Sequence, residues 1–190
     1  MLERRKAVAD LLTDRRDLLL VTGLGAPTYD AFAAGDDERN FYLWGAMGSA
    51  AMVGLGLALA QPSRPIMVLT GDGEMLMGIG AFATIAQHQP RNLSIVILDN
   101  ELYGETGGQK TATGLGTDLS AMAAASGIAD TRVITEASDL PTLREALHGR
   151  AGPLVATLKI SREPLPRVTP QRDGVALKLR FRAALSLTPD

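Results

Sequence analysis

Hydrophobic and polar positions along this chain fall into two kinds of block. Short, almost unbroken apolar runs at 17–22, 65–70, 93–98 and 153–160 read as strands buried on both faces, and 131–135 reads as a further strand. Between them lie helical segments at 2–13, 78–89, 119–126 and 140–147, the last with Asp139 near its start. A short helix begins at 30–33, a loop covers 36–40, and 41–44 is extended. Strands alternating with helices predict an α/β fold: a doubly wound, mostly parallel sheet with helices on both faces.

One segment breaks the helical pattern. Residues 49–60 are apolar on every side, too few to span a bilayer, and Gln61-Pro62 ends them. A helix of that kind is buried, either against a second subunit, where its small residues permit close contact, or as a central core helix of this chain.

Composition narrows the classes. A length of 190 residues allows one domain with a sizeable core, residues 161–190 forming a tail. That tail carries several prolines and the basic stretch Lys178-Leu179-Arg180-Phe181-Arg182, expected as a solvated amphipathic helix over a sheet edge or as a contact for a subunit or an anionic substrate. Net charge is −2, with few aromatics and no basic stripe, which argues against nucleic-acid binding. The chain has no cysteine, so disulfides, thiolate zinc sites and cysteine-ligated iron–sulfur clusters are excluded. The charged N-terminus runs into an amphipathic helix rather than a secretory apolar region, so the expected place is the cytoplasm, with no membrane partner.

The chemistry concentrates at two strand ends. Gly71-Asp72-Gly73-Glu74 follows the run at 65–70, and Asp99-Asn100 follows the run at 93–98. Adjacent parallel strands would bring these ends to within about 5 Å of each other, at the edge where open α/β sheets bind ligands. A carboxylate beside an amide oxygen suits a hard cation, and Mg²⁺ takes few protein ligands, completing its shell with water and phosphate oxygens. Glycines beside Asp72 let backbone N–H groups approach a diphosphate, and the helix that follows offers its positive end.

A Gly-Asp-Gly turn followed by roughly thirty residues and an Asn resembles the cofactor signature of thiamine diphosphate enzymes. The resemblance runs from about residue 18 to residue 155 and is to the diphosphate-binding domain of that superfamily, within it to the sulfopyruvate and phosphonopyruvate decarboxylase group. It implies thiamine diphosphate and Mg²⁺ as cofactors, with Asp72, Asn100 and the backbone carbonyl of Leu102 as metal ligands. It also implies that Gly71, Gly73, Glu74, Asn100 and Tyr103 line the cofactor site, and that Ala46-Met47 forms the turn whose Met47 wedges under the bent cofactor, the alternative being a core methionine. Gly23-Leu24-Gly25 lacks the third glycine of a dinucleotide fingerprint, because Thr28 stands there, and reads as a strand-end loop in which Gly25 touches the diphosphate. Glu74 occupies a place where relatives often carry a small hydroxyl residue, so its carboxylate must point away from the phosphates or towards the metal.

Residues 101–109 carry glycines that predict a mobile loop. Tyr103, Glu105, Thr106 and Gln109 are its candidates for substrate contact, and the resemblance implies Glu105 as a candidate catalytic residue, since some decarboxylases of the superfamily carry near this place an acidic residue that acts on the intermediate. His88 and His148 have no partner at catalytic spacing and read as surface or capping residues. The resemblance further implies a glutamate on a separate pyrimidine-binding domain, for which this chain has no length. The expected assembly is therefore a hetero-oligomer, α₂β₂ or larger, in which an α subunit supplies that glutamate and the substrate is a 2-oxo acid. A thiamine-dependent carboligase subunit of acetolactate synthase type, or a non-catalytic cofactor-binding or assembly protein, stays open at this point.

Overall fold

The computed structural model describes residues 1–149 and 151–187. Its strands are β1 (Leu19–Thr22), β2 (Asn40–Tyr42), β3 (Ile66–Gly71), β4 (Leu93–Asp99), β5 (Leu102–Tyr103), β6 (Gln109–Lys110), β7 (Asp130–Ile134) and β8 (Leu154–Lys159). Its helices are α1 (Arg4–Leu12), α2 (Ala26–Ala33), α3 (Ala50–Ala60), α4 (Asp72–Met77), α5 (Ala81–His88), α6 (Leu119–Ala125), α7 (Leu140–His148) and α8 (Gly174–Ala184). Six strands form one sheet in the order β2-β1-β3-β4-β8-β7, every pair parallel. β5 and β6 form a separate antiparallel ribbon.

The apolar runs are continuous because both sheet faces are covered. Alternate side chains point to opposite faces. Leu20, Met67, Leu69, Val96 and Leu158 pack with α1, α2 and α7, whereas Val21, Val68, Ile95, Ile97 and Val155 pack with α3, α5 and α6. The chain leaves β1 for the edge strand β2, then returns past β1 to β3. That reversal opens a crevice at the C-terminal ends of β1 and β3, the place where doubly wound sheets take ligands.

Two elements differ from expectation, and for a third, α3, one of the two expected readings drops out. α2 starts at Ala26, earlier than the sequence pattern suggests, with Pro27 in its first turn, where a missing N–H costs nothing. The helical stretch expected from residue 78 begins at Asp72 and breaks around Gly78, giving α4 and α5. A β-carbon on Gly78 would lie 2.0 Å from the carbonyl oxygen of Gly48, so this glycine permits a close backbone approach. α3 is not enclosed on all sides by this chain: Ala50, Ala51, Gly54, Leu55 and Ala58 are buried, but Met52 and Leu59 are 41% and 51% exposed.

Beyond β8, residues 161–173 run without regular structure to α8, which packs against the edge strand β2. Phe181 meets Phe41 with ring centroids 5.4 Å apart, and Arg180 bonds the Asn40 carbonyl oxygen at 3.1 Å and Asp36 at 2.7 Å. Among the described residues no helix is long and apolar enough to cross a membrane.

The two glycines on α3 give opposite predictions. A β-carbon on Gly54 would stand 2.1 Å from a methyl of Val68 on β3, whereas one on Gly56 would meet nothing within 4 Å. Gly54→Ala should therefore destabilise the fold by about 1–3 kcal/mol through overpacking, despite better helix propensity. Gly56→Ala should stabilise it by up to about 1 kcal/mol. Denaturant midpoints of the two variants check this, and equal midpoints would contradict the packing of α3 on β3.

Candidate functional site

Parallel pairing sets the site. Thr70 pairs with Ile97 and Gly71 with Leu98, so Asp72 and Asn100 leave adjacent strand ends on the same edge. Both line a cavity of about 300 Å³, together with Gly71, Gly73, Glu74 and Leu102. Met47, Tyr103, Glu105 and Thr106 line it as well. Ala46, which is exposed, and Gly25, which is buried, are turn residues outside the cavity lining, with φ of 53° and 78°. Gln109 is turned outwards and donates to the Thr106 carbonyl oxygen at 3.1 Å.

The Asp72 carboxylate is almost fully buried. Its Oδ2 accepts from the hydroxyls of Thr111 at 2.5 Å and Thr113 at 3.1 Å. Burial pushes its pKa above the usual carboxylate value, the Thr111 bond pulls it back, and the nearby Asp99 charge pushes it up again. Asn100 accepts from the Leu102 amide at 2.9 Å, and Asp99 accepts from the Glu101 amide at 3.1 Å. These side-chain-to-backbone bonds hold the tight turn in which Glu101 takes φ of 64°. The open side of the turn faces the cavity, where a β-carbon on Gly71 would meet nothing within 4 Å. Because α4 starts at Asp72, the amides of Asp72, Gly73 and Glu74 have no acceptor within the helix.

Glu74 turns towards the β1–α2 loop. Its Oε2 accepts from the Leu24 amide at 3.1 Å, and a β-carbon on Gly23 would sit 1.7 Å from that oxygen. Burial raises the pKa of this carboxyl, with the neighbouring Thr70 hydroxyl and Leu24 amide offsetting part of the shift. The Met47 turn is fixed from below, since Gly48, with φ of 96°, lies against the Met77–Gly78 backbone. Gly73 leaves room for the Tyr103 ring, whose nearest carbon would be 2.5 Å from a β-carbon there.

Residues 101–110 fold as a hairpin in which Leu102 pairs with Lys110 and Tyr103 with Gln109. Two of its glycines build the turn, with φ of 124° at Gly107 and 76° at Gly108. Glu105 reaches the Tyr29 hydroxyl at 3.5 Å and Arg167 at 3.2 Å, and it packs over Gly25. Arg167 comes from the irregular segment after β8, which also sends Arg162 to Glu101 and to the Asn100 carbonyl oxygen. Arg4, at the start of α1, lines the cavity and pairs with the fully buried Asp30.

Sequence reasoning missed Thr111, Thr113, Lys159, Arg4 and Arg167. Each is far in sequence from the motif it serves, and none stands in a recognisable spacing. Asp99 was visible beside Asn100, but its ion pair with Lys159 at 2.6 Å depends on the pairing of β4 with β8. Burial works to lower the Lys159 ammonium, yet the bond to Asp99 outweighs it and the net shift is upward. His88 is exposed, and His148 ends α7 half-buried, both far from the cavity lining.

Residues 28–157 match the family described as thiamine pyrophosphate enzyme, C-terminal TPP binding domain. Phosphonopyruvate decarboxylase of Streptomyces viridochromogenes is 38% identical over 179 residues, 92% of this chain and 44% of that protein. Sulfopyruvate decarboxylase subunit beta of Methanocaldococcus jannaschii is 43% identical over 110 residues, 58% of each. The chain thus spans about half the length of these two relatives. The crystal structure of benzoylformate decarboxylase from Polynucleobacter necessarius shares the fold, with a TM-score of 0.65 and 23% identity over 84% of this chain and 33% of that one. The matched stretch takes in the whole strand pair that carries Asp72 and Asn100, and this chain belongs to the thiamine pyrophosphate enzyme family through its C-terminal TPP binding domain.

Proposed function

We propose that this chain is the diphosphate- and Mg²⁺-binding subunit of a thiamine diphosphate-dependent 2-oxo acid decarboxylase, working as one domain with residues 161–190 as its tail. The observation that carries this reading is the placement of Asp72 and Asn100 on one cavity edge by the β3–β4 pairing. Among the described residues no group of three or more His, Asp or Glu is arranged to hold a metal. A set of one carboxylate, one amide oxygen and the Leu102 carbonyl leaves about half of an octahedral shell to phosphate and water, which fits Mg²⁺ shared with a diphosphate. Gly71, Gly73 and the backbone of Glu74 are suited to face the phosphates, and Met47 to support the rings from below.

The bound cofactor supplies the electron sink for loss of CO₂. The residues of this chain anchor its phosphates, exclude water and hold the carboxyl group of Glu105 at the cavity wall. The names of the relatives, phosphonopyruvate and sulfopyruvate decarboxylase, support a substrate class: a 2-oxo acid with a second acidic group. Arg4, Arg162 and Arg167 on the cavity wall are consistent with that charge. The naming of one relative as a beta subunit supports an α partner, to which this reading assigns the pyrimidine site and its glutamate. Met52 and Leu59 on α3 and Met77, which is 62% exposed beside the Met47 turn, offer an apolar surface for that partner. The cytoplasm is the proposed location.

Calorimetric titration of the purified chain with thiamine diphosphate, in Mg²⁺ and in EDTA, tests the reading. Binding should require Mg²⁺, and Asp72→Ala should abolish it; binding that survives both EDTA and the substitution would refute the metal assignment. In an enzyme reconstituted with a pyrimidine-binding subunit, Glu105→Gln should lower kcat about a hundredfold with unchanged cofactor affinity. An unchanged kcat would remove Glu105 from the chemistry.

A further inference from the structure

Two carboxylates stand next to each other at the ends of β3 and β4, yet their surroundings differ. Asp99 has both oxygens engaged. Its Oδ1 accepts from the Thr113 hydroxyl at 2.8 Å and from the Glu101 amide at 3.1 Å, and its Oδ2 is 2.6 Å from the Lys159 ammonium. On Asp72 the two threonine hydroxyls both approach Oδ2. Oδ1, the oxygen turned from the threonines, receives neither hydroxyl, and Asp72 lines the cavity. Thr111, Thr113, Asp72 and Asp99 are all buried.

The two threonines flank Ala112 just after β6, and the backbone ties them down. The Thr111 amide donates to the Glu101 carbonyl oxygen at 3.0 Å, and the Gly114 amide donates to the Thr111 carbonyl oxygen at 3.2 Å. The two hydroxyl oxygens are 2.8 Å apart. A threonine hydroxyl has one proton to give and two lone pairs. Thr113 has the oxygens of Asp72, Asp99 and Thr111 within reach, and its single proton is shared between Asp99 at 2.8 Å and Asp72 at 3.1 Å, so it links the three groups into one network. The torsion that turns a carboxylate about its last bond is broad and poorly fixed by the side chain itself. An Asp that ligates a metal through one oxygen therefore needs something else to hold the other.

We propose that Thr111 and Thr113 are positioning residues that grip Oδ2 of Asp72 and so present Oδ1 to the metal, while Thr113 and Lys159 keep the neighbouring Asp99 fully engaged and off it. The proposal rests on the reading of Asp72 as a metal ligand. It adds a third element to the site: the turn after the hairpin, which reaches Asp72 and Asp99 through side chains. It also assigns a use to a polar cluster that is otherwise costly to bury. Partners that orient a metal ligand in this way typically govern affinity by about ten- to a hundredfold.

The test is Mn²⁺ titration of the full chain by electron paramagnetic resonance with thiamine diphosphate present, on the wild type, Thr111→Val, Thr113→Val, Thr111→Ser and Asp72→Ala. Thermal unfolding of each metal-free variant is recorded alongside. Either valine variant should weaken Mn²⁺ binding about ten- to a hundredfold. Thr111→Ser, which keeps the hydroxyl, should bind close to wild type. A purely structural role would lower the unfolding temperature of the valine variants and leave Mn²⁺ affinity in the folded fraction unchanged, and that result overturns the proposal. Should one valine variant fail to fold, the other, together with the serine variant, decides it. A wild type that binds no Mn²⁺, or Asp72→Ala binding as well as wild type, would overturn the metal reading itself, and the proposal with it.

Discussion

The parallel, in-register pairing of β3 with β4 is the constraint on which the site depends. It joins Gly71 to Leu98 and so sets the two turn motifs side by side. Neither motif is specific alone; together on one edge they make a donor set. The neighbouring strands extend the same edge. β1 adds the Gly23–Leu24 loop that receives Glu74, and β8 adds Lys159 beside Asp99. A parallel sheet holds its strand ends in this way only if both faces are covered, which is why the central strands carry so few polar residues.

Among the described residues four acidic groups are buried, Asp30, Asp72, Glu74 and Asp99. Each has a different solution to the cost of desolvation. Asp30 is held between Arg4 and Arg5, so the pair of helices α1 and α2 is locked by charge as well as by apolar contact. Asp99 has Lys159 and a hydroxyl. Glu74 leans on a backbone amide. Asp72 has the hydroxyls of Thr111 and Thr113, and, like Glu74, it has no cation among its partners. A buried carboxylate left without a positive partner is energetically expensive, and a divalent ion in the adjoining cavity would supply the missing charge.

The surface around the cavity has two characters. On one side, the segment after β8 lays Arg162 and Arg167 over the hairpin acids Glu101 and Glu105. These pairs are partly exposed, so they contribute little to stability, but they place positive charge at the mouth. On the other side, beside the Met47 turn, α3 and the end of α4 present Met52, Leu59 and Met77 to solvent. Under the proposed function these exposed apolar side chains are the surface offered to a partner.

The sequence by itself determined the fold class and the two motifs. Runs such as 65–70 and 93–98 are too short for buried helices and too apolar for half-exposed strands, so a covered parallel sheet follows from hydrophobic pattern alone. Asp72 and Asn100 were legible because each sits immediately after such a run, where chain direction fixes its edge. The segment at 49–60 shows the limit: its uniform apolarity signalled a contact surface but not which side the sheet would take, since a helix without polar positions has no face to read. Only the tertiary structure decided the supporting groups. Thr111, Thr113, Lys159, Arg4 and Arg167 reach the site by strand order, a hairpin and a segment that crosses over the sheet edge. Such long-range juxtapositions leave no local period or spacing in the chain, because the hydrogen bonds that fix them are made between residues tens of positions apart.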